Sequence, residues 1–271
     1  MSGSVRLPAV AGTFYPADPR QLHAMVSALL AGAERPALEE RPKALIVPHA
    51  GYVYSGPVAA TAYAAVAPWA NEIRRVVLLG PSHRVPLRGI AAPTVEAFLT
   101  PLGAIPLDRV AIAEVAKLPQ VGYWDEAHRH EHSLEVQLPF LQEVLPRFAL
   151  VPLVVGETPP AQVAEALELL WGGDETLIVV STDLSHYHGY REARLLDERT
   201  CRAIEALDYA AIDAEDACGC YPLKGLLYLA RAQGLRPITL DLRNSGDTAG
   251  PRDRVVGYGA WAVAEGLPGV V

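Results

Sequence analysis

The run Leu177-Ile178-Val179-Val180-Ser181-Thr182-Asp183-Leu184-Ser185-His186 decides the fold. Its first four residues are apolar, mostly β-branched and without polar alternation, as suits a strand covered on both faces inside a largely parallel sheet. The pattern recurs in Ala44-Leu45-Ile46-Val47, Val76-Val77-Leu78-Leu79 and Val151-Pro152-Leu153-Val154-Val155. Helix-compatible stretches lie around these runs at residues 21–30, 58–66, 108–117, 133–145, 160–170, 192–207 and 222–232. Such alternation predicts a layered α/β/α domain.

Two segments break the rhythm. Residues 89–92 and 105–107 flank Thr100-Pro101-Leu102-Gly103 and read as the arms of a hairpin. Ile238-Thr239-Leu240-Asp241-Leu242 and Val255-Val256-Gly257-Tyr258-Gly259-Ala260-Trp261 read as two further strands, so the sheet is expected to be mixed and mostly parallel. The polar stretch from Gly32 to Pro36 reads as a loop before the first core strand. No repeat, low-complexity tract or linker divides the 271 residues, so residues 1–271 are expected to form a single domain.

Lys and Arg number 23 against 31 Asp and Glu, a net charge of −8, which gives no general attraction for nucleic acid or anionic lipid. No apolar run approaches the ~20 residues of a membrane-spanning helix. With three cysteines, two of them in Cys218-Gly219-Cys220, internal pairing of all thiols is impossible and the simpler setting is reducing. A cytoplasmic protein without nucleic-acid or membrane partners is therefore expected.

Three of the buried-strand runs are each followed within six residues by a histidine: His49, His83 and His186. Ligands collect at the carboxyl ends of parallel strands, so these imidazoles are expected to converge on one crevice. Each alone reads more plainly as a loop residue bonded to backbone; as a set they point to metal binding or proton transfer. Asp183 stands three residues before His186, where a helical turn would let it orient His186 or hold its proton; an N-cap is the alternative. Cys218 lies near a helix start, where the dipole favours a thiolate able to ligate a metal, although a small buried thiol is the plainer reading.

The stretch His128-Arg129-His130-Glu131-His132-Ser133-Leu134-Glu135 is densest in histidine, but its spacing matches no familiar zinc module. Ser133 reads as a helix cap, one of Glu131 and His132 as facing the crevice, and the others as solvated. No glycine pattern spells a phosphate loop and no G-x-S-x-G elbow occurs, which disfavours nucleotide binding and serine hydrolysis.

Taken together, Gly12-Thr13-Phe14-Tyr15-Pro16, Val47-Pro48-His49-Ala50-Gly51-Tyr52-Val53-Tyr54-Ser55-Gly56, Gly80-Pro81-Ser82-His83, Glu131-His132-Ser133-Leu134-Glu135, Ser181-Thr182-Asp183-Leu184-Ser185-His186-Tyr187 and Ala217-Cys218-Gly219 resemble the Memo family. That family is called AmmeMemoRadiSam system protein B in prokaryotes, and it is similar in fold to LigB-type extradiol dioxygenases, which are non-haem iron enzymes. The resemblance implies a divalent or redox metal, Fe, Cu or Zn, on His49, His83 and Cys218. It implies His186 and Asp183 as catalytic groups, and Phe14, Tyr54 and His132 as substrate-binding walls.

It also implies a small-molecule or peptide ligand, with AMMECR-type and radical SAM proteins as partners. Phe14 stands where animal members carry Trp, and Cys218-Gly219-Cys220-Tyr221 lacks the basic residues that follow their Cys-Gly. The phosphopeptide binding described for those members is therefore not carried over. A thiolate in place of the carboxylate of extradiol enzymes softens the donor set, so dioxygenase chemistry does not follow from the fold. Three readings are carried forward: a metal-dependent redox enzyme, a non-catalytic peptide- or partner-binding protein using the same crevice, and a metallohydrolase.

Overall fold

The computed structural model of the 271-residue chain describes residues 4–34 and 38–265. Strands are β1 (Val5–Arg6), β2 (Ala44–Val47), β3 (Arg75–Pro81), β4 (Ile90–Ala92), β5 (Ala97–Thr100), β6 (Gly103–Pro106), β7 (Val121–Tyr123), β8 (Ala149–Val155), β9 (Thr176–Ser181), β10 (His186–His188), β11 (Leu235–Asn244) and β12 (Val255–Glu265). Helices are α1 (Pro19–Gly32), α2 (Tyr52–Val66), α3 (Arg109–Val115), α4 (Asp125–Arg129), α5 (Leu138–Val144), α6 (Pro160–Leu169), α7 (Tyr190–Glu205), α8 (Cys220–Gln233) and α9 (Ser245–Thr248).

The main sheet runs β10-β12-β2-β9-β3-β8-β4-β7, with β11 on β12. Strands β2, β9, β3 and β8 are mutually parallel and form its centre. Every residue of β2 and β9 is buried, the reason their sequences show no polar alternation. The pairs β12–β2, β11–β12, β10–β12 and β4–β8 are antiparallel, so the sheet is mixed. On one side α2 packs with α1 and α5; on the other α8 packs with α6 and over β3 and β9. The chain is thus an α/β protein with helices on both sides of a mixed sheet.

Three expectations need correction. Residues 90–92 are not a hairpin arm: β4 joins the main sheet, and the hairpin is β5–β6, which pairs with β1 in a separate three-stranded sheet. Helix α2 begins at Tyr52, not after Pro57; the proline sits within its second turn, where the helix continues despite one lost amide donor. Residues 133–145 are not one helix but a 3₁₀ turn at Glu135–Gln137 followed by α5. Of the loop read from Gly32 to Pro36, Gly32 closes α1, while Arg35 and Pro36 fall outside the described residues. No helix among the described residues is long and apolar enough to cross a membrane.

The strand order explains the site. β9 lies between β2 and β3, so the segments after these three strands leave the sheet side by side at their carboxyl ends. His49 follows β2, His83 follows β3, and Asp183 and His186 follow β9.

Candidate metal centre

His49, His83 and His132 each offer a donor nitrogen, and these atoms all lie within 4.8 Å of one another. Ring centroids are 5.2 Å apart for His49 and His83, 5.5 Å for His49 and His132, and 4.7 Å for His83 and His132, whose rings stack. Together with Phe14, Asp183, His186, Tyr187, His188, Glu215 and Cys218 they line a cavity of about 670 Å³.

Hydrogen bonds fix which nitrogen of His49 is free. The Ser181 hydroxyl donates its proton to the Ser133 carbonyl at 2.6 Å and accepts from Gln137 Nε2 at 2.8 Å. Gln137 is itself oriented, since Nε2 donates to the Pro48 carbonyl and Oε1 accepts from Tyr63. With Ser181's proton committed, His49 Nδ1, 2.8 Å away, must be the donor, which leaves the lone pair on Nε2. Nε2 lies 3.3 Å from Cys218 Sγ.

A carboxylate does the same for His83. Glu131 is buried and takes His83 Nδ1 at 2.9 Å on Oε1 and the His83 amide at 2.6 Å on Oε2. Oε1 also accepts the amides of His132 and Ser133. Burial opposes ionisation of Glu131, but these donors outweigh it and hold its pKa at about 2, so it stays anionic. A carboxylate behind a ligating imidazole raises its basicity and fixes its orientation. His132 Nδ1 is buried without a hydrogen-bond partner, 3.5 Å from Glu131 Oε1. Two oriented imidazoles and a third with an orphaned nitrogen form a donor set that fits a divalent ion.

The other expected residues fall as follows. Cys218 is next to His49 and accepts the Asp183 amide at 3.3 Å, so it borders the imidazole cluster. Burial and the Asp183 carboxylate push its thiol well up, the reverse of the expected dipole effect; α8 starts only at Cys220. Asp183 Oδ1 takes the His49 amide at 2.7 Å; among the described residues no hydrogen bond joins Asp183 to His186. The segment after Asp183 is extended, neither a helical turn nor a capped helix, so Asp183 braces the His49 loop instead. Burial raises its pKa to about 7.

His186 lines the cavity, its pKa lowered by burial. Phe14 packs on His132 at 4.8 Å between ring centroids. Tyr54 lies exposed in the first turn of α2 and does not line the cavity.

In the dense stretch, His130 is exposed but His128 is not solvated as expected: it is buried, with Nε2 on the Ala91 carbonyl. Ser133 caps no helix, because its hydroxyl donates to the Pro81 carbonyl. His132 reaches the cluster through a buried hub. Glu135 accepts the Ala9 and Val10 amides, the Tyr15 hydroxyl and Arg6, and Arg6 also binds the carbonyls of His128 and Glu131. Sequence reasoning gave no role to Ser181 or Gln137, and only an alternative position to Glu131; polar residues beside apolar runs were the available signal.

Two measurable consequences follow from this geometry. A Cβ on Gly219 would sit 2.6 Å from Thr182 Cβ and 2.7 Å from the Ser181 carbonyl oxygen. Gly219→Ala should cost about 1–3 kcal/mol in denaturant unfolding by forcing Cys218 away from β9; wild-type stability in that variant would contradict the close approach. The second is acid sensitivity. Burial lowers His128 and His132 to about 4 and His49 well below its ordinary value.

Between pH 6.5 and 4 the unfolded chain therefore binds protons at these histidines that the folded chain refuses, and their contribution to stability falls as pH falls, against the opposite contribution of Asp183. His128 alone accounts for about 2–3 kcal/mol over that range, so urea unfolding of His128→Gln should lose less stability than the wild type by about that amount. Parallel profiles of the two proteins would contradict a neutral buried His128.

A chain built this way, with imidazoles from neighbouring strand ends around one crevice, matches the family described as "Memo-like protein" over residues 6–262. It is 39% identical to a MEMO1 family protein of Aquifex aeolicus over 94% of this chain and 97% of the relative. It is 37% identical to another of Archaeoglobus fulgidus, with the same shares of both chains covered. The chain belongs to the Memo family. An uncharacterized protein from Escherichia coli K12 shares its fold, with a TM-score of 0.51 at 14% identity, covering 83% of this chain and all of that one.

Proposed function

We propose that the crevice is a mononuclear metal centre built on His49 and His83, with His132 and Cys218 as the neighbouring donors, serving redox chemistry on a small ligand. The carrying observation is the packing of three imidazole donor atoms within 4.8 Å, two of them with their tautomer set from behind. A bound Fe, Cu or Zn ion would supply Lewis-acid polarisation, and Fe or Cu electron exchange as well. Cys218 would have to lose its proton to join the donor set, so its participation should strengthen with pH.

The chain's own residues supply the rest. Phe14 and Tyr187 offer ring faces to a ligand, Phe14 braced on His132. His186, its pKa lowered by burial, is placed to accept a proton from a bound ligand and return it. Asp183 holds the His49 loop in place. Among the described residues no Lys or Arg lines the cavity, which favours a neutral ligand over a phosphorylated one.

The test is turnover by metal-loaded protein with catechols, keto acids and esters, with and without O₂. Oxygen-dependent turnover lost in His186→Ala, with metal retained, supports the reading. Oxygen-independent ester cleavage with Zn supports a metallohydrolase instead. No turnover, with a peptide or protein bound through Phe14 or Tyr54, supports the binding-protein reading and ends the enzymatic one.

A further inference from the structure

Three consecutive side chains, His186, Tyr187 and His188, line the cavity. In a regular strand neighbouring side chains point to opposite faces, so one of the three has been re-aimed. The pairing of β10 with β12 shows which. His186 stands opposite Val256 and His188 opposite Val255, which leaves Tyr187 as the extra residue of a β-bulge. Its φ is 64°, a left-handed backbone that such bulges usually give to glycine and that a bulky residue rarely adopts. Such a conformation persists only where surrounding contacts impose it.

Burial of the side chain does not offset the strain, because Tyr187 is 64% exposed. What the conformation achieves is a pair of ring contacts. The His186 and Tyr187 rings meet in a T-shaped arrangement, with centroids 5.8 Å apart and planes at 67°. The Arg254 guanidinium, just before β12, lies over the Tyr187 ring at 5.0 Å from its centroid. The backbone around the bulge is tied to β12 as well: the Leu184 amide donates to the Gly257 carbonyl, and the Gly257 amide donates to the Ser185 carbonyl.

We infer that Tyr187 is a positioning residue for His186: the bulge turns an aromatic ring onto the imidazole, where it holds the ring's orientation and keeps water from it. With a cation already over the tyrosine ring, what Tyr187 offers His186 is shelter rather than a second cation–π contact. Shelter disfavours the imidazolium, in the same direction as the burial that lowers the His186 pKa. The functional meaning rests on His186 as the proton carrier; the contact itself requires no metal.

Other charged and titratable groups around His186 are His83 after β3, Asp183 after β9, His188 on its own turn, Glu192 on α7, Glu215 before α8 and Arg254 before β12. The experiment pairs NMR titration of His186 with urea unfolding, in the full chain stripped of metal by chelator, so that failure of the metal-centre reading leaves it intact. Tyr187→Asn removes the ring and supplies a residue that tolerates the left-handed backbone. The His186 pKa should rise by about half to one unit in that variant, with an unfolding midpoint at or above that of the wild type. Tyr187→Phe keeps the ring and should titrate as the wild type does.

An unchanged His186 pKa in Tyr187→Asn, or a raised one in Tyr187→Phe, would overturn the positioning role. A midpoint far below the wild type in Tyr187→Asn would make the ring a folding contact and overturn it too. So would the absence of nuclear Overhauser contacts between the two rings in the wild type, a readout that stands even if the variants do not fold.

Discussion

Glu135→Ala is expected to cost about 3–5 kcal/mol of folding stability, read from urea or guanidinium unfolding. Glu135 is wholly buried, and its carboxylate receives Arg6, the Ala9 and Val10 amides and the Tyr15 hydroxyl. Truncation leaves the Arg6 guanidinium, itself buried, without its anion and strands the other donors in a medium that cannot hydrate them. The replacement acts beyond stability. Through Arg6 the hub holds the Glu131 carbonyl, and through Tyr15 and the Val10 amide it anchors the segment that carries Phe14 onto His132. A loss below about 1 kcal/mol would place this pair among ion pairs that contribute little.

Glu131→Gln should weaken metal binding by about 10–100-fold while leaving every candidate ligand in place. Its Oε1 takes the His83 ring N–H and two backbone amides, and its Oε2 the His83 amide. The neutral amide offers one acceptor oxygen where the carboxylate offers two, so at least one of these donors loses its partner. It also removes the negative charge that offsets a bound cation. The expected signature is a shifted dissociation constant at unchanged stoichiometry. Equal affinity in both proteins would mean that Glu131 serves only to shape the backbone.

The sheet's centre was legible because β2, β3, β8 and β9 are buried on both faces, and that constraint writes itself as unbroken apolar runs. The histidines after β2, β3 and β9 were legible for a related reason: parallel strands bring their carboxyl ends to one edge. Short elements were not. β4 and β7 have three residues each, and their place is decided by register, β4 against β8 and β7 against β4, rather than by any pattern of their own. His132 was assigned to a wall, yet it lies within the imidazole cluster. It follows no parallel strand, and the buried pair of Glu135 with Arg6, the latter far away in sequence, sets its position. The Ser181–Gln137 link behind His49 and the Glu131 carboxylate behind His83 are contacts between distant segments, which spacing along the chain does not record.

The account turns on His49 and His83 holding one metal ion, and anaerobic equilibrium dialysis of chelator-stripped protein against Fe(II) and Zn(II) tests it most directly. The prediction is one ion per chain for the wild type, none for His49→Ala or His83→Ala, and a graded loss for Cys218→Ala and His132→Ala that ranks the remaining donors. A wild type that retains no ion, or a His49→Ala variant that binds as much as the wild type, would contradict it.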